Sequence, residues 1–152
     1  MIGLRALIWA IVLPGVGAVL LPWLILGQPP APSGAAWIGL VPLALGLTLS
    51  FWCVVLFAVR GRGTPAPWDP PRRFVAIGPY RVVRNPMYVG AASVIAGEAI
   101  LFGSWPLAVY LVAIAVVWHI FVVGYEEPTL ERQFGDEYRA YRARVPRWVP
   151  RP

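Results

Sequence analysis

The chain has 152 residues, of which 59% are hydrophobic and 13% are charged, and its mean hydropathy is +0.66. A soluble domain of this size cannot bury so much apolar surface, so the composition favours an integral membrane protein over a soluble or disordered one. The net charge is +6, and all 13 basic residues are arginines. Because these arginines flank apolar segments, we attribute the charge to contacts with membrane lipids and expect no nucleic-acid partner.

Four apolar segments predict an all-α, integral membrane helical bundle with about four transmembrane helices. A helix needs roughly 20 apolar residues to cross a bilayer. The candidate spans are residues 2–26, 37–59, 87–102 and 106–125. The first is interpreted as a helix rather than a signal peptide, because its apolar run is long and no cleavage site is evident. Gly103-Ser104-Trp105 separates the last two spans and predicts a tight helical hairpin.

The arginines predict the topology. They cluster between the second and third spans and after the fourth, whereas the two short loops on the other side carry none. The positive-inside rule therefore places both termini and the middle loop in the cytoplasm of a multi-pass protein, in the plasma membrane if the chain is bacterial. We expect one membrane domain with two spans at 1–59, a cytoplasmic loop at 60–86, the hairpin at 87–125 and a cytoplasmic C-terminal segment at 126–152.

The loop before the third span is the first candidate for chemistry. Gly78-Pro79 is a turn signal, and Asn85 precedes Pro86 as an N-cap precedes the first helical residue. Such a helix start points backbone N–H groups at the membrane boundary, where a carboxylate or phosphate can bind. A capped helix surrounded by interfacial tyrosines and snorkelling arginines explains the same pattern equally well.

The segment after the fourth span combines an amphipathic helix with two adjacent carboxylates. The apolar face of this predicted cytoplasmic helix consists of Leu130, Phe134, Tyr138 and Tyr141, which recur at helical spacing. We expect the helix to lie on the bundle or on the membrane surface. Glu126 and Glu127 repel each other at the mouth of a membrane helix, so they require an arginine pair or a cationic ligand.

Two ionisable residues lie within the predicted spans. Glu98 is expected to join helices, with His119 as its candidate partner. His119 also precedes Glu126 by about two helical turns, so it can face the same site. The chain has no Ser/His/Asp set, no Walker lysine and no Cys/His metal spacing, which disfavours hydrolysis, ATP chemistry and a metal site.

Three groups of residues carry a resemblance to a known family. They are Gly78-Pro79-Tyr80, then Arg84-Asn85-Pro86-Met87-Tyr88-Val89-Gly90, then Glu126-Glu127 with Phe134-Gly135 and Val145-Pro146-Arg147. In order and spacing they resemble the isoprenylcysteine carboxyl methyltransferase family and its phospholipid methyltransferase relatives, over roughly residues 72–150. The resemblance implies an integral membrane enzyme that binds S-adenosylmethionine on the cytoplasmic side.

The resemblance also implies site residues by position. The expected cofactor contacts are Arg72, Arg73, Phe74, Val75, Tyr80, Asn85, Pro86, Met87, Tyr88 and Glu126. Arginines and a helix N-terminus suit the methionine carboxylate, a glutamate suits the ammonium or the ribose hydroxyls, and aromatic rings suit adenine and the sulfonium. The expected catalytic residues are Arg84, Glu127 and Arg142.

Two positions depart from the family pattern. Asn85 stands where the family has histidine. Val122 stands one turn before the glutamate pair, where the enzymes that act on prenylated cysteine have an arginine for the substrate carboxylate. Arg84, Arg142 and Arg147 are the candidates to replace that arginine.

Three functions remain open at this point. The first is methyl transfer from S-adenosylmethionine to a lipophilic or lipidated acceptor, by resemblance the carboxylate of an isoprenylcysteine-like substrate. The second is methylation of a phospholipid amine, which has to lose a proton, with Glu127 or His119 as the base. The third is a non-catalytic membrane scaffold that keeps the fold.

Overall fold

The computed structural model describes residues 16–29, 31–56, 59 and 74–151, and all regular elements in these ranges are helical. The helices are α1 (Val16–Leu26), α2 (Gly34–Leu56), a 3₁₀ turn (Gly78–Arg81), α3 (Pro86–Leu101), α4 (Trp105–Phe121) and α5 (Glu127–Arg144). A π-helical turn, Val122–Glu126, joins α4 to α5. The all-α prediction is confirmed for these ranges. The start of the first predicted span and most of the middle loop, with Arg72 and Arg73, lie outside the described residues.

Two of the helices are long and apolar enough to cross a membrane. These are α2 and the continuous helix Trp105–Arg144, whereas α1 and α3 are shorter apolar helices. Large apolar side chains on the outer faces are exposed, such as Leu45 and Phe51 on α2 and Val112 and Ile120 on α4. A soluble monomer rarely shows such continuous apolar patches, so these faces suit contact with lipid.

Helices α2 and α3 approach each other through glycines. A Cβ atom on Gly46 would lie 2.5 Å from the carbonyl oxygen of Gly90, and one on Gly39 would lie 2.6 Å from that of Gly97. Such close backbone contact allows extensive van der Waals packing between two apolar helices. The pair holds the start of α3 in place against α2.

Helices α3 and α4 are connected by a short turn. Gly103 has φ of +59°, which favours glycine, and the Ser104 hydroxyl accepts a hydrogen bond from the Leu107 N–H at 3.4 Å. Residues at equal distances from such a turn lie side by side, so Glu98 lies near Tyr110 in the first half of α4. The expected pairing of Glu98 with His119 is therefore wrong, because His119 lies at the far end of α4 and contacts Trp148 instead.

Helix α5 has one buried face, which packs on the segment before α3. Tyr138 and Tyr141 are buried, and the ring of Phe74 lies 4.9 Å from that of Tyr141 and 5.3 Å from that of Phe134. The helix bends at Gly135, where φ is +53°. The bend lets the aromatic face follow the end of the bundle.

Candidate active site

Three stretches of the chain meet at one end of the bundle. They are the start of α3, the junction between α4 and α5, and a C-terminal strap formed by residues 145–151. The Arg84 N–H donates to the Pro146 carbonyl at 2.8 Å, and the Asn85 side-chain amide donates to the Arg147 carbonyl at 3.3 Å. These bonds attach the strap to the residues that precede α3, so it crosses the site that the two glutamates line.

Asn85 occupies the N-cap position of α3, with Pro86 as the first helical residue. Its side chain makes no capping hydrogen bond to the helix, because the amide points at the strap. The predicted N-cap position of Asn85 is confirmed, but the side-chain hydrogen bond that usually accompanies it is not made. The first N–H groups of α3 receive no bond from Asn85, which preserves the anion-binding character of the helix N-terminus.

Glu127 is held by two arginines. Its oxygens accept hydrogen bonds from Arg147 Nε at 2.7 Å and Arg147 Nη2 at 3.0 Å, and Arg84 Nη1 lies 3.0 Å from Oε1. The side chains of Glu127 and Arg84 are only 8% and 10% exposed. A buried carboxylate needs such partners, so Glu127 receives the arginine pair that the sequence called for. Its charge is neutralised inside the protein.

Glu126 has a different environment from its neighbour. Among the described residues, its hydrogen-bond donor is the hydroxyl of Tyr88, which lies 3.0 Å from Oε2. Burial raises the pKa of Glu126, the hydrogen bond from Tyr88 lowers it, and the charge of Glu127 raises it further. The part of the chain that the structure describes gives Glu126 one neutral donor and no ion pair, so a cation bound beside this carboxylate would be stabilised.

An aromatic platform supports the glutamates. The Tyr141 hydroxyl donates to the Tyr80 carbonyl at 2.6 Å, while Tyr80 packs with Val75 and Met87 against Cys53 of α2. Burial raises the pKa of Tyr138 to about 12, so its hydroxyl stays protonated at neutral pH. The platform joins α2, the 3₁₀ turn and α5 beneath the site.

An apolar groove runs between α3 and α4 and ends at the same place. Its volume is about 450 Å³, and it is lined by Tyr88, Val89, Ala92, Ser93, Ala96, Leu111, Ala115, Trp118, His119 and Trp148. The Tyr88 ring lies 5.4 Å from the Trp118 ring and 6.1 Å from the Trp148 ring. Tyr88 thus borders the groove with its ring and contacts Glu126 with its hydroxyl.

The described site residues that the sequence predicted lie in three environments: at the two glutamates, around the start of α3 and on the exposed side of α5. Tyr88 meets Glu126, and Arg84 meets Glu127. Phe74, Val75, Tyr80, Pro86 and Met87 belong to the buried surroundings of the start of α3. Arg142 bonds Glu131 at 2.9 Å on the exposed side of α5.

Sequence reasoning missed Trp118 and Trp148 as groove residues. Trp148 follows the Val145-Pro146-Arg147 motif directly, and this adjacency was the signal for it. Trp118 precedes His119, the residue that was expected to face the site. Tryptophan is common at membrane interfaces, so the sequence does not distinguish these two tryptophans as groove residues.

A protein-family model described as phospholipid methyltransferase matches residues 35–137, which is more than half of the chain. The match begins in α2 and ends within α5, so it lies further toward the N-terminus than the resemblance expected over 72–150. No curated protein matches the chain. The extent of the family match, together with the two apolar helices, places the chain at membranes. The protein belongs to the phospholipid methyltransferase family, the group of membrane methyltransferases that its motifs resemble.

Proposed function

We propose that the protein is an integral membrane methyltransferase that uses S-adenosylmethionine and methylates a lipophilic acceptor. The position of Tyr88 carries this proposal. Its hydroxyl contacts the carboxylate of Glu126, and its ring lines the apolar groove. A donor bound beside the carboxylate and a lipid bound in the groove would meet at this side chain.

The residues around Glu126 fit the proposed donor. The poorly compensated carboxylate suits an ammonium group, and the uncapped start of α3 suits a carboxylate. We propose that the donor is held by Glu126, Tyr88 and the start of α3, with the other residues implied by the resemblance around them: Arg72, Arg73, Phe74, Val75, Tyr80, Asn85, Pro86 and Met87. S-adenosylmethionine supplies an electrophilic methyl group when it is bound.

The chain contributes positioning and exclusion of water. The aromatic faces of Tyr88 and Trp118 carry a negative electrostatic potential that attracts a cation, and the groove holds the acceptor away from solvent. Glu127 is a poor general base here, because its oxygens are already engaged by Arg84 and Arg147. We propose that Glu127 and Arg84 organise the site. His119 is the remaining candidate base, but its Nδ1 accepts from the Trp148 indole N–H, so it can take a proton only after that hydrogen bond opens.

The groove favours an amine acceptor over a carboxylate acceptor. None of the described residues that line it is an arginine, and Arg84 and Arg147 both contact Glu127. Val122, which stands at the position of the family's substrate arginine, is fully buried. Within the described ranges no arginine faces the groove to receive a substrate carboxylate. This observation supports methylation of a phospholipid amine, which is the second candidate function.

We propose that four helices span the membrane and that the termini and the site are cytoplasmic. The exposed apolar faces of α2 and α4 support this arrangement. The arginines of the C-terminal segment would then meet the headgroups of the inner leaflet. The single domain would comprise the spans at 1–59, the loop at 60–86, the hairpin at 87–125 and the C-terminal segment at 126–152.

Calorimetric titration tests the donor site. S-adenosylmethionine and its demethylated product are titrated into the detergent-solubilised protein, the Glu126→Gln variant and the exposed control Glu137→Gln. We expect Glu126→Gln to weaken binding by about tenfold or more, as loss of a charged hydrogen-bond partner does, and the control to bind normally. Absence of binding by the intact protein would leave the non-catalytic scaffold as its function.

S-adenosylmethionine with a labelled methyl group tests which class of acceptor is methylated. Phosphatidylethanolamine and an S-farnesylcysteine derivative are offered in parallel, and label on nitrogen is separated from label in a base-labile ester. We expect label on nitrogen. Ala96→Phe, which fills the groove, should abolish transfer without changing donor binding, whereas Ala108→Phe on the exposed side of α4 should leave transfer intact. Equal activity of the two variants would show that the acceptor does not use the groove.

A further inference from the structure

We propose that Trp148 is the stop at the end of the acceptor groove, and that it sets how far the acceptor advances toward Tyr88 and Glu126. This inference rests on the proposed function and adds a specificity-determining residue from the C-terminal strap. The family match ends at residue 137, so it does not include Trp148.

The strap holds Trp148 from both sides. Before it, Arg147 makes two hydrogen bonds to the buried Glu127, and the Arg147 carbonyl accepts from Asn85. On the other side, the Trp148 indole N–H donates to His119 Nδ1 at 3.1 Å. The indole is thus tied to the start of α3, to α5 and to the end of α4. A side chain anchored in this way is pre-organised, so little conformational entropy is lost when a ligand packs against it.

The indole occupies the mouth between the groove and the glutamates. Its ring lies 6.1 Å from the Tyr88 ring and 6.1 Å from the His119 ring, and all three residues line the groove. The rest of the groove lining includes the three small residues Ala92, Ala96 and Ala115. An aromatic wall at the end of an apolar groove gives a lipid acceptor a surface against which its headgroup can stop beside Tyr88, while its acyl chain lies along the groove.

Truncation of Trp148 should therefore act on acceptor placement rather than on donor binding. The contacts of Glu126 with Tyr88 and of Glu127 with its arginines do not involve the indole. An acceptor that is displaced by about 1 Å can lose about 100-fold in rate, because transfer depends on alignment of the reacting atoms. Removal of the wall would produce such a displacement.

A labelling experiment tests the position of the stop without any enzyme activity. Ala92→Cys places a thiol in the groove, and its rate of modification by a charged, membrane-impermeant methanethiosulfonate is measured in lipid nanodiscs. The parent chain, whose Cys53 is buried, gives the background. We expect Trp148→Ala to raise the rate by about tenfold or more and Trp148→Phe to raise it little, because a phenyl ring still fills the mouth. Trp105→Ala, at the exposed opposite end of α4, is the matched control. Equal rates with and without the indole overturn the proposal.

A kinetic experiment tests whether Trp148 controls the rate of methyl transfer. With the lipid that the protein methylates, Trp148→Ala should lower kcat by about 100-fold while the calorimetric donor affinity stays within about twofold of the parent value. Trp148→Phe keeps an aromatic ring at the mouth of the groove and should lower kcat much less. A parent chain that binds no donor would refute the proposed function, whereas parent-like kcat in Trp148→Ala would refute only the stop.

Discussion

The Tyr88 hydroxyl donates a hydrogen bond to Glu126 Oε2 across 3.0 Å, joining the first turn of α3 to the junction of α4 and α5. The two residues are 38 positions apart in the chain. Because the Tyr88 ring also lines the groove, this single bond connects the proposed donor site with the proposed acceptor site.

Tyr88→Phe should weaken donor binding by about tenfold while keeping the groove intact, because a hydrogen bond to a charged group contributes roughly 1.5–3 kcal/mol. The phenylalanine retains the ring and loses only the hydroxyl that supports the Glu126 carboxylate. Calorimetry measures the effect. Tyr125→Phe, on the neighbouring exposed tyrosine, serves as the control and should bind normally. Unchanged affinity in Tyr88→Phe would mean that Glu126 is oriented by something else.

Donor affinity should rise with pH over the range in which Glu126 ionises. Burial raises the pKa of this carboxyl above its ordinary value of 4.5. Since only the ionised form attracts an ammonium group, binding strengthens as pH increases through the raised pKa and then levels off. Without donor, the stability of the protein should change with pH in the opposite direction. The native state binds the Glu126 proton more tightly than the unfolded chain does, so the contribution of this proton to the free energy of unfolding is lost as pH rises through the same range.

Calorimetry from about pH 5 to about pH 8 measures this dependence. Glu126→Gln should flatten the rise, whereas Glu137→Gln should preserve it. A rise that survives in Glu126→Gln would assign the titration to another group.

Glu127 should matter for stability far more than an exposed carboxylate does. Glu127→Ala leaves Arg84 and Arg147 facing each other in a buried site, which should cost about 3 kcal/mol or more of unfolding free energy. Unfolding in mixed micelles measures it, and the double variant with Arg147→Ala should recover part of the loss. Glu131→Ala, which breaks the exposed ion pair with Arg142, is the matched control and should lower the free energy of unfolding by about 1 kcal/mol or less. Similar losses from both pairs would show that the site around Glu127 is open to water.

Gly46→Ala should destabilise the bundle by about 1–3 kcal/mol, since the new Cβ would lie 2.5 Å from the Gly90 carbonyl oxygen and force α2 and α3 apart. Gly124→Ala is the control, because nothing lies within 4 Å of its Cβ position. The same unfolding experiment compares them. If Gly46→Ala were as stable as the parent, α2 and α3 would not be in close contact in the membrane.

Much of the local structure was predictable from the sequence. Apolar runs of helical length, interrupted at Gly103 and Ser104, predicted the helices, because backbone polar groups in an apolar environment must be satisfied within the helix itself. The spacing of Tyr138 and Tyr141 predicted the buried face of α5. These patterns depend on neighbours within a few residues, so a linear chain displays them.

The sequence by itself determined the helical membrane architecture and the adjacency of two carboxylates that need partners. Only the tertiary structure decided that Glu127 receives both arginines while Glu126 receives a hydroxyl, since Arg147 and Tyr88 reach them from distant parts of the chain. The same holds for Trp148, whose place beside His119 depends on the path of the strap. Charged and aromatic side chains in one sequence can pair in several ways, and the packing of α3 against α2 and α4 selects one of these pairings.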